Sequence, residues 1–372
     1  MKRILLLSPL FLVAACGGGG DSESTTTVAP TTTIVATTTE APTTTEAPTT
    51  TTIPVPTMPL TGLPVVDEMA AVRPAIVAKI DNHPGARPQS GLNSADIVYE
   101  ENVEKWTRFA VVFHTNGSDP VGPLRSGRTQ DIDLLTSLNH PLLLWSGGNA
   151  SVTSAINKSE LVNMSASAAS NGGGFYRSDD KKAPHNLYSK TTNIWALDAG
   201  RGGTPPPQFV YRKPEQSMGG EETGGLKLNM DGSMRAAWQW DPTTGLFLRF
   251  HESKVHNDAN GTQVAFDNVV VIECEYKTSP ADPRSPEAQT VGSGRAWVFS
   301  AGRMLEGTWS RADNHSPWTL LDASGQVIGL TPGRTWVELI REGQMAAVPP
   351  GVALDDVRSE EHTSELQSPC NL

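Results

Sequence analysis

Two arginines in the first half of the chain are candidates for binding an anion. Arg125 and Arg128 flank Ser126 and Gly127 immediately before a segment with the pattern of a helix. Guanidinium groups bind carboxylates and phosphates through paired hydrogen bonds, and the free backbone N–H groups at a helix start also favour anions. Arg108, at one end of a predicted strand, can converge on the same place. The sequence therefore predicts an anion-binding corner formed by Arg108, Arg125, Ser126 and Arg128.

A second group of side chains suits general acid–base chemistry. A histidine or a carboxylate can transfer protons at neutral pH once its surroundings adjust its charge. The candidates, which we expect to line a polar cleft, are Asp81, Glu100, Glu104, His185 and Asn186. One interpretation is a cleft for a carboxylate- or phosphate-bearing ligand, such as a cell-wall fragment. The other is a buried Arg–Glu network that only holds the fold together, and such networks are common where strands meet helices.

The remaining catalytic and metal-binding motifs are incomplete. Ser178 and Lys181 have the Ser-x-x-Lys spacing, but the Lys-Thr-Gly and Ser-Asp-Asn motifs that accompany it are missing from the sequence. The spacing of His251 and His256 does not place two imidazoles on one helical face. A phosphate-binding loop, a dinucleotide fingerprint and a paired-cysteine motif are also absent from the sequence. We therefore expect no metal and no cofactor.

The N-terminus has the layout of a bacterial lipoprotein signal. Lys2 and Arg3 precede an apolar segment, residues 4–15, which ends in Val-Ala-Ala directly before Cys16. The apolar segment is too short to span a bilayer core of about 30 Å. We predict a signal peptide over residues 1–15, cleavage before Cys16, and lipidation of the Cys16 thiol. The lipid would anchor the exported chain to the outer face of the plasma membrane.

Low-complexity or foreign sequence bounds the predicted folded region on both sides. Residues 16–57 consist largely of Thr and Pro and have no periodic apolar face that could offset the entropy lost on ordering. We interpret them as a disordered, lipid-anchored stalk. Residues 358–368 back-translate without mismatch to a common sequencing-library adapter, so we set residues 358–372 aside as adapter read-through.

Composition limits the partners that the folded region can have. The chain of 372 residues has a formal net charge of -11, which disfavours nucleic acid and anionic lipid headgroups as partners. Membrane contact should therefore come through the lipid on Cys16. Cys274 is the only cysteine between residues 58 and 357, so no disulfide can form inside that region. We expect Cys274 to be buried in a strand.

The folded region divides into two lobes by pattern. Residues 58–205 mix strands and helices, residues 206–225 form a Gly- and Pro-rich connection, residues 226–345 read almost entirely as strands, and residues 346–357 form a tail. We predict an α+β fold with a mixed sheet-and-helix first lobe and a mostly antiparallel β second lobe. The predicted elements are strands Ala75–Ile80, Asp96–Glu101 and Arg108–His114, helices Arg128–Leu138, Ala150–Leu161 (with Asn149 as N-cap) and Thr192–Leu197, and a hairpin of Ala236–Trp240 and Leu246–Phe250 around Asp241–Gly245.

A series of short motifs in both lobes resembles YerB-like bacterial lipoproteins. In chain order the motifs are Pro59–Leu63, Ala86–Leu92, Ala95–Glu100, Thr107–Phe109, Gly122–Arg128, Ala183–Asn186, His256–Asp258, Asn268–Val271, Gly307–Trp309 and Pro332–Trp336. The resemblance covers nearly all of residues 58–340. It implies a lipid-anchored α+β protein in two parts, a domain of unknown function without an established activity. Where the family tends to have Val-Glu-Gly-Gly, this chain has Val103-Glu104-Lys105-Trp106.

Two functions remain compatible with these residues. The favoured one is a binding or scaffolding module of the cell envelope that uses the Arg-rich corner or the second lobe, which carries Trp309, Trp318 and Trp336. The alternative is an envelope hydrolase or transferase in which His185 works with a nearby carboxylate. An enzyme requires His185 in an open cleft, within hydrogen-bond reach of an acid or a hydroxyl group. A buried His185 bonded to the backbone would exclude the enzyme. The sequence identifies no protein partner.

Overall fold

The computed structural model describes residues 55–213, 215–230 and 234–352 together with Leu354. The predicted signal peptide, Cys16, residues 16–54 of the predicted stalk and the adapter-like tail lie outside the described residues, so these interpretations remain predictions. In the part of the chain that is described, no helix is long and apolar enough to cross a membrane.

The helices are short and belong mainly to the first lobe. The α-helices are α1 (Glu68–Val72), α2 (Gln130–Leu135), α3 (Ala150–Lys158) and α4 (Thr191–Ala196), and the 3₁₀ helices are Pro84–Ala86, Leu92–Ser94 and Thr136–Leu138. The predicted helix Arg128–Leu138 is thus α2 continued by a 3₁₀ turn. Asn149 caps α3 as predicted, because its Oδ1 atom accepts a hydrogen bond of 2.9 Å from the Val152 N–H.

The strands of the first lobe follow the predicted pattern. They are β1 (Ile76–Asp81), β2 (Ile97–Asn102), β3 (Thr107–Phe113), β4 (Leu142–Trp145), β5 (Val162–Ser165), β6 (Tyr176–Arg177) and β7 (Leu187–Tyr188). Each of the three strands predicted here lies within one residue of its observed position. The fully buried strands β1 and β3 are rich in β-branched and aromatic residues, which favour the pleated backbone.

The second lobe consists almost entirely of strands, as predicted. They are β8 (Glu221–Glu222), β9 (Gly225–Asn229), β10 (Arg235–Asp241), β11 (Leu246–His251), β12 (Lys254–Val255), β13 (Ala265–Phe266), β14 (Asn268–Glu273), β15 (Tyr276–Thr278), β16 (Pro286–Ala288), β17 (Gly292–Ser300), β18 (Arg303–Arg311), β19 (Thr319–Asp322), β20 (Thr335–Ile340) and β21 (Met345–Val348). The turn between β10 and β11 is the predicted one: Asp241 accepts hydrogen bonds from the Thr243 N–H and the Thr244 hydroxyl. Cys274 is buried, one residue beyond β14.

One large mixed sheet contains strands from both lobes. Its order is β19-β18-β17-β14-β20-β2-β3-β1-β4-β5, and β8 also pairs with β18. The pairs β14/β20, β20/β2, β1/β4 and β4/β5 are parallel, and the other pairs along this order are antiparallel. A second, antiparallel sheet has the order β12-β11-β10-β9-β21, with β13 paired to β11. The α+β, sheet-dominated fold is therefore confirmed.

Alternate residues of the large sheet's strands point to opposite sides, and both faces of the sheet are buried by other parts of the chain. One face packs against the second sheet and α4, and the hydrophobic cluster on this face includes Val98, Phe109, Trp336, Trp238, Phe247 and Ile194. The other face packs against α2, α3 and the loops around them, with Val77, Tyr99, Val112, Leu134 and Val152 among its contacts. Burial of each large apolar side chain contributes about 1.5–3 kcal/mol to the free energy of unfolding. The two contacts therefore stabilise the sheet, and with it the positions of the strand ends.

Candidate functional site

Asp81 and His185 lie together at the carboxyl end of β1. Asp81 is the last residue of β1, and His185 lies in the loop that precedes β7. The distance from His185 Nδ1 to Asp81 Oδ2 is 2.6 Å. A carboxylate can only accept a hydrogen bond, so Nδ1 carries a proton, and in the neutral ring Nε2 keeps a free lone pair. The Asp81 side chain is 5% exposed and that of His185 is 17% exposed, so the pair opens to solvent on the histidine side.

His83 stacks on His185, and its exposed ring nitrogen is a hydrogen-bond donor where that of His185 is an acceptor. The ring centroids are 4.1 Å apart and the planes differ by 6°. The Gly85 N–H donates a hydrogen bond of 3.0 Å to His83 Nδ1, so the proton of the neutral ring is on Nε2. Burial, followed by the neighbouring His185, lowers the pKa of His83, which favours this neutral form. His185 thus offers an acceptor at Nε2, and His83 offers a donor at Nε2.

Arg125 belongs to the same cluster. Its Nε atom lies 3.2 Å from Asp81 Oδ2, and its side chain is 28% exposed. This contact is an ion pair without hydrogen-bond alignment. The backbone of Arg125 is fixed between two parallel strands, because its N–H donates to Lys79 and its carbonyl accepts from Ser146. Arg125 therefore pairs with Asp81, a different carboxylate from the one that the other two arginines of the predicted corner contact.

Arg108 and Arg128 converge on Glu104 instead. An Nη2–H of Arg128 donates to Glu104 Oε1, and Arg108 Nη2 lies 3.4 Å from Glu104 Oε2. Arg108 also donates to the Ser126 carbonyl at 3.0 Å, and Arg128 donates to the Ser285 hydroxyl at 3.0 Å. Burial, followed by the neighbouring Arg128, lowers the pKa of Arg108 to about 10. Glu104, Ser126 and Arg128 also line an open depression of about 540 Å³, but the guanidinium groups of Arg108 and Arg128 are already engaged with Glu104 and other protein oxygens, as in the Arg–Glu network.

Glu100 is fully buried in a charge cluster between the two sheets. Its carboxylate accepts hydrogen bonds from Arg249 Nη2 and from the Thr107 hydroxyl. The Arg249 guanidinium is also fully buried and lies 4.7 Å from the centroid of the Trp336 ring. Glu338 is close to this pair and accepts a hydrogen bond of 2.8 Å from Trp238 Nε1. We call Glu100, Arg249 and Glu338 the buried charge cluster; it gives Glu100 no access to a ligand.

Asn186 holds the loop that carries His185. Its Oδ1 atom accepts a hydrogen bond of 2.7 Å from Arg177 Nη1, and its Nδ2 atom donates one of 3.0 Å to the Ser178 carbonyl. Lys181 fixes the other side of the loop, because its Nζ atom donates to the carbonyls of Ala86 and Pro88 and to the Tyr188 hydroxyl. Asn186 therefore supports the position of His185.

A cleft with cationic walls opens beside His185. It consists of two adjoining depressions of about 430 and 770 Å³ that share Pro84, Arg87 and Pro88. Its charged lining side chains, within the described ranges, are the cations Arg87, Lys181, Lys182, Arg235 and Lys254 and the carboxylates Asp180 and Glu252. His185 lines the larger depression and Trp106 the smaller one. We call this site the basic cleft.

The two histidines at the floor of the smaller depression are not free metal ligands. Arg249 Nη1 lies 3.0 Å from His256 Nδ1 and 3.1 Å from His251 Nε2. Burial, with the neighbouring charges, lowers the pKa of both rings well below the usual value, so both are neutral. No three His, Cys, Asp or Glu side chains in the described part of the chain are grouped so that they could hold a metal ion.

The sequence matches one protein family over both lobes. Residues 60–204 match the model described as "Protein of unknown function (DUF3048) N-terminal domain", and residues 226–337 match the corresponding C-terminal domain. The chain belongs to the DUF3048 family. This confirms the resemblance inferred from the motifs.

A relative and a solved structure from Bacillus subtilis agree with this assignment. The chain is 25% identical over 309 residues to "Putative lipoprotein YerB" of Bacillus subtilis (strain 168), an alignment that covers 79% of this chain and 88% of the relative. The crystal structure of YerB protein from Bacillus subtilis superposes with a TM-score of 0.69 at 22% identity, over 78% of this chain and 99% of that one. The structure therefore has the same fold, and neither name states an activity.

The stretch Val103–Trp106, where the resemblance implied a departure from the family pattern, lies at the site. Trp106, in the stretch Val103–Trp106, contacts His83 edge-on with ring centroids 5.4 Å apart. It also lines the basic cleft, so the bulkier residue forms part of the wall there.

Sequence reasoning missed His83 and most of the basic cleft. The signal for His83 was its position two residues after Asp81, the last residue of β1. Polar side chains that follow a strand end can meet there. Arg235 and Lys254 come from the second lobe and carry no local motif. Their approach to Arg87 depends on how the second sheet packs on the first.

Proposed function

We propose that this DUF3048 protein is a lipid-anchored, extracytoplasmic module that binds an anionic ligand in the basic cleft. Two observations support the anchor: the lipoprotein signal pattern that ends at Cys16 and the similarity to a protein named as a lipoprotein. The observation that carries the binding function is the concentration of cations in one cleft of a chain whose net charge is -11. In this cleft five cations face two carboxylates, and such an excess of one sign of charge focuses the electric field and attracts ligands of the opposite sign.

The cleft cations are available to a ligand, unlike Arg108 and Arg128. Lys182, Arg235 and Lys254 are exposed, and within the described ranges none of them forms an ion pair. Lys181 donates only to neutral oxygen atoms, so its charge is not neutralised by those contacts. Lys182, Arg235 and Lys254 are therefore free to pair with phosphate or carboxylate groups, whereas Lys181, whose three N–H donors are used, contributes its positive charge to the field in the cleft.

Arg87 connects the two depressions and is oriented before a ligand arrives. Its Nε atom donates to Asn82 Oδ1 at 3.2 Å, and its Nη2 atom donates to the Asn82 carbonyl at 2.9 Å. Burial, followed by the nearby Arg249, lowers the pKa of Arg87 to about 10, so the side chain remains charged at neutral pH. A fixed guanidinium loses little conformational entropy on binding, which favours affinity.

The shape of the basic cleft suits an extended ligand with more than one anionic group. The cations are spread over both depressions, and the aromatic residues Trp106 and Tyr176 are among the lining residues. Aromatic rings pack well against the apolar faces of ligand rings, as in sugars. A fragment of a phosphate- or carboxylate-bearing wall polymer has these properties.

Charge reversal in the cleft tests this function. We expect the full-length Lys182→Glu/Lys254→Glu protein to bind sodium tripolyphosphate at least tenfold more weakly than the wild type, measured by isothermal titration calorimetry at low salt. Tenfold corresponds to about 1.4 kcal/mol. The matched control is Lys158→Glu/Lys277→Glu, which makes the same change of net charge at exposed lysines outside the cleft. Equal weakening in both proteins would show that only net charge matters and would contradict a cleft site.

A further inference from the structure

The histidine pair at the edge of the basic cleft has the groups that acyl transfer requires. His185 Nε2 is a free acceptor in the neutral ring, because the proton is on Nδ1, which donates to Asp81 Oδ2 at an Nδ1–Oδ2 distance of 2.6 Å. His83 Nε2–H is a donor because Nδ1 accepts from Gly85. A base oriented by a carboxylate removes a proton from a nucleophile, and a neutral imidazole N–H can stabilise an oxygen that gains negative charge.

We propose that His185, His83 and Asp81 hydrolyse a carboxylic ester on an anionic ligand held in the basic cleft. This proposal rests on the proposed function, because the cleft cations supply the binding of the anionic part. His185 is the catalytic base, His83 is the donor to the oxyanion, and Asp81 is a positioning residue that acts through His185.

The proton and electron pairs balance with water as the second reactant. The water oxygen forms a bond to the ester carbonyl carbon while His185 Nε2 takes the water proton. The carbonyl oxygen becomes an oxyanion and accepts a hydrogen bond from His83 Nε2–H. The bond from carbon to the alcohol oxygen then breaks, and His185 returns its proton to that oxygen. The products are the carboxylic acid and the alcohol, and Asp81 stays ionised throughout.

Water is the nucleophile that the geometry favours. Ser90 and Ser178 line the cleft, but neither forms a hydrogen bond with His185 in the part of the chain that is described. The Ser178 hydroxyl donates to Asp180 instead, at 3.0 Å. His185 Nε2 therefore faces solvent rather than a protein hydroxyl.

The two arginines nearest the pair complete the electrostatics. Arg125 forms an ion pair with Asp81, and Arg87 lines both depressions of the basic cleft. Their positive charges oppose protonation of His83, whose pKa is lowered in part by both of them. His83 therefore acts as a neutral donor and not as an acid that loses a proton.

Hydrolysis of p-nitrophenyl succinate by the full-length protein tests the proposal. We expect saturable release of p-nitrophenolate above the rate in buffer. In His185→Ala, kcat should fall about a hundredfold or more, the usual contribution of a general base. Added imidazole should restore part of kcat in this variant, which a purely structural role would not allow. In Asp81→Asn, kcat should fall while KM is unchanged.

The matched control is another histidine beside a carboxylate. His140 Nε2 lies 3.9 Å from Glu160 Oε2, and its side chain is 48% exposed, so His140→Ala should leave kcat and KM unchanged. No release by the wild type, or equal kcat in His185→Ala and the wild type, would overturn the catalytic proposal. Release from bis(p-nitrophenyl) phosphate but not from the succinate would overturn its carboxylic-ester chemistry.

Failure of catalysis can be distinguished from failure of binding. If the wild type binds tripolyphosphate in the charge-dependent way proposed above but hydrolyses no ester, only the catalytic proposal is wrong. If the Lys182→Glu/Lys254→Glu protein binds tripolyphosphate as tightly as the wild type, the proposed binding function is wrong. Ester hydrolysis that still depends on His185 would then mean that the substrate needs no anionic group.

Discussion

The buried charge cluster and the basic cleft contain similar charged side chains but differ in what those charges contact. Arg249 is fully buried, donates to Glu100 and lies against the Trp238 and Trp336 rings. Lys182 and Lys254 in the cleft are exposed, and no ion pair to either is found in the described ranges. A buried charge must be paired to offset its desolvation, whereas an exposed and unpaired charge can meet a ligand without that cost. Exposure and pairing, more than residue type, separate a structural charge from a binding charge.

The Arg108, Glu104 and Arg128 group lies between these extremes. The two arginines are buried, but the Glu104 side chain is 37% exposed. Because one carboxylate is shared by two guanidiniums, this group retains some positive charge at its surface. Its arginines are nevertheless committed to protein oxygens, which is why we place the anion site in the basic cleft.

The largest effect is expected on removing the cation of the buried charge cluster. Arg249→Ala leaves Glu100 buried without its counter-charge and opens a cavity among the aromatic rings. Breaking a buried ion pair from one side costs about 3–5 kcal/mol. We expect a loss of this size in the free energy of unfolding, measured by urea denaturation. The matched control, Arg235→Ala, removes an exposed arginine from the neighbouring strand and should cost less than about 0.5 kcal/mol. Similar losses in the two variants would contradict the comparison.

A smaller, pH-dependent effect is expected at Glu338. Burial, followed by the neighbouring Glu100, raises the pKa of Glu338 well above its usual value of 4.5. The folded state therefore keeps a proton that the unfolded state loses above this value. Stability from this group is full below about pH 4.5 and falls as the pH rises, by up to about 1.4 kcal/mol per pH unit until the folded group ionises.

Glu338→Gln removes this titration while keeping the shape and a hydrogen-bond acceptor for Trp238. Denaturation of both proteins across the acid-to-neutral range should show that the variant gains stability relative to the wild type as the pH rises. A difference in unfolding free energy that is constant with pH would mean that the pKa of Glu338 is the same in the folded and unfolded states, which would contradict the raised pKa.

Local features of the fold could be predicted from the sequence, whereas its long-range pairings could not. The β-branched runs of β1, β2 and β3, the Asp241–Gly245 turn and the Asn149 cap depend on residues that are close along the chain. The insertion of β20 beside β2 depends on packing between distant segments, for which no local pattern exists. The same holds for the site: Asp81 and His185 were both candidates, but their contact joins residues 104 positions apart. The basic cleft was not predicted, since its cations come from separate loops and both lobes.

The most direct test of the basic cleft is a crystal structure of the protein with sodium tripolyphosphate bound. We expect the anion to lie between the two depressions, with phosphate oxygens within hydrogen-bond distance of Arg87 and of Lys182 or Lys254. An anion bound at Arg108 and Arg128, with the basic cleft containing only water, would contradict this account.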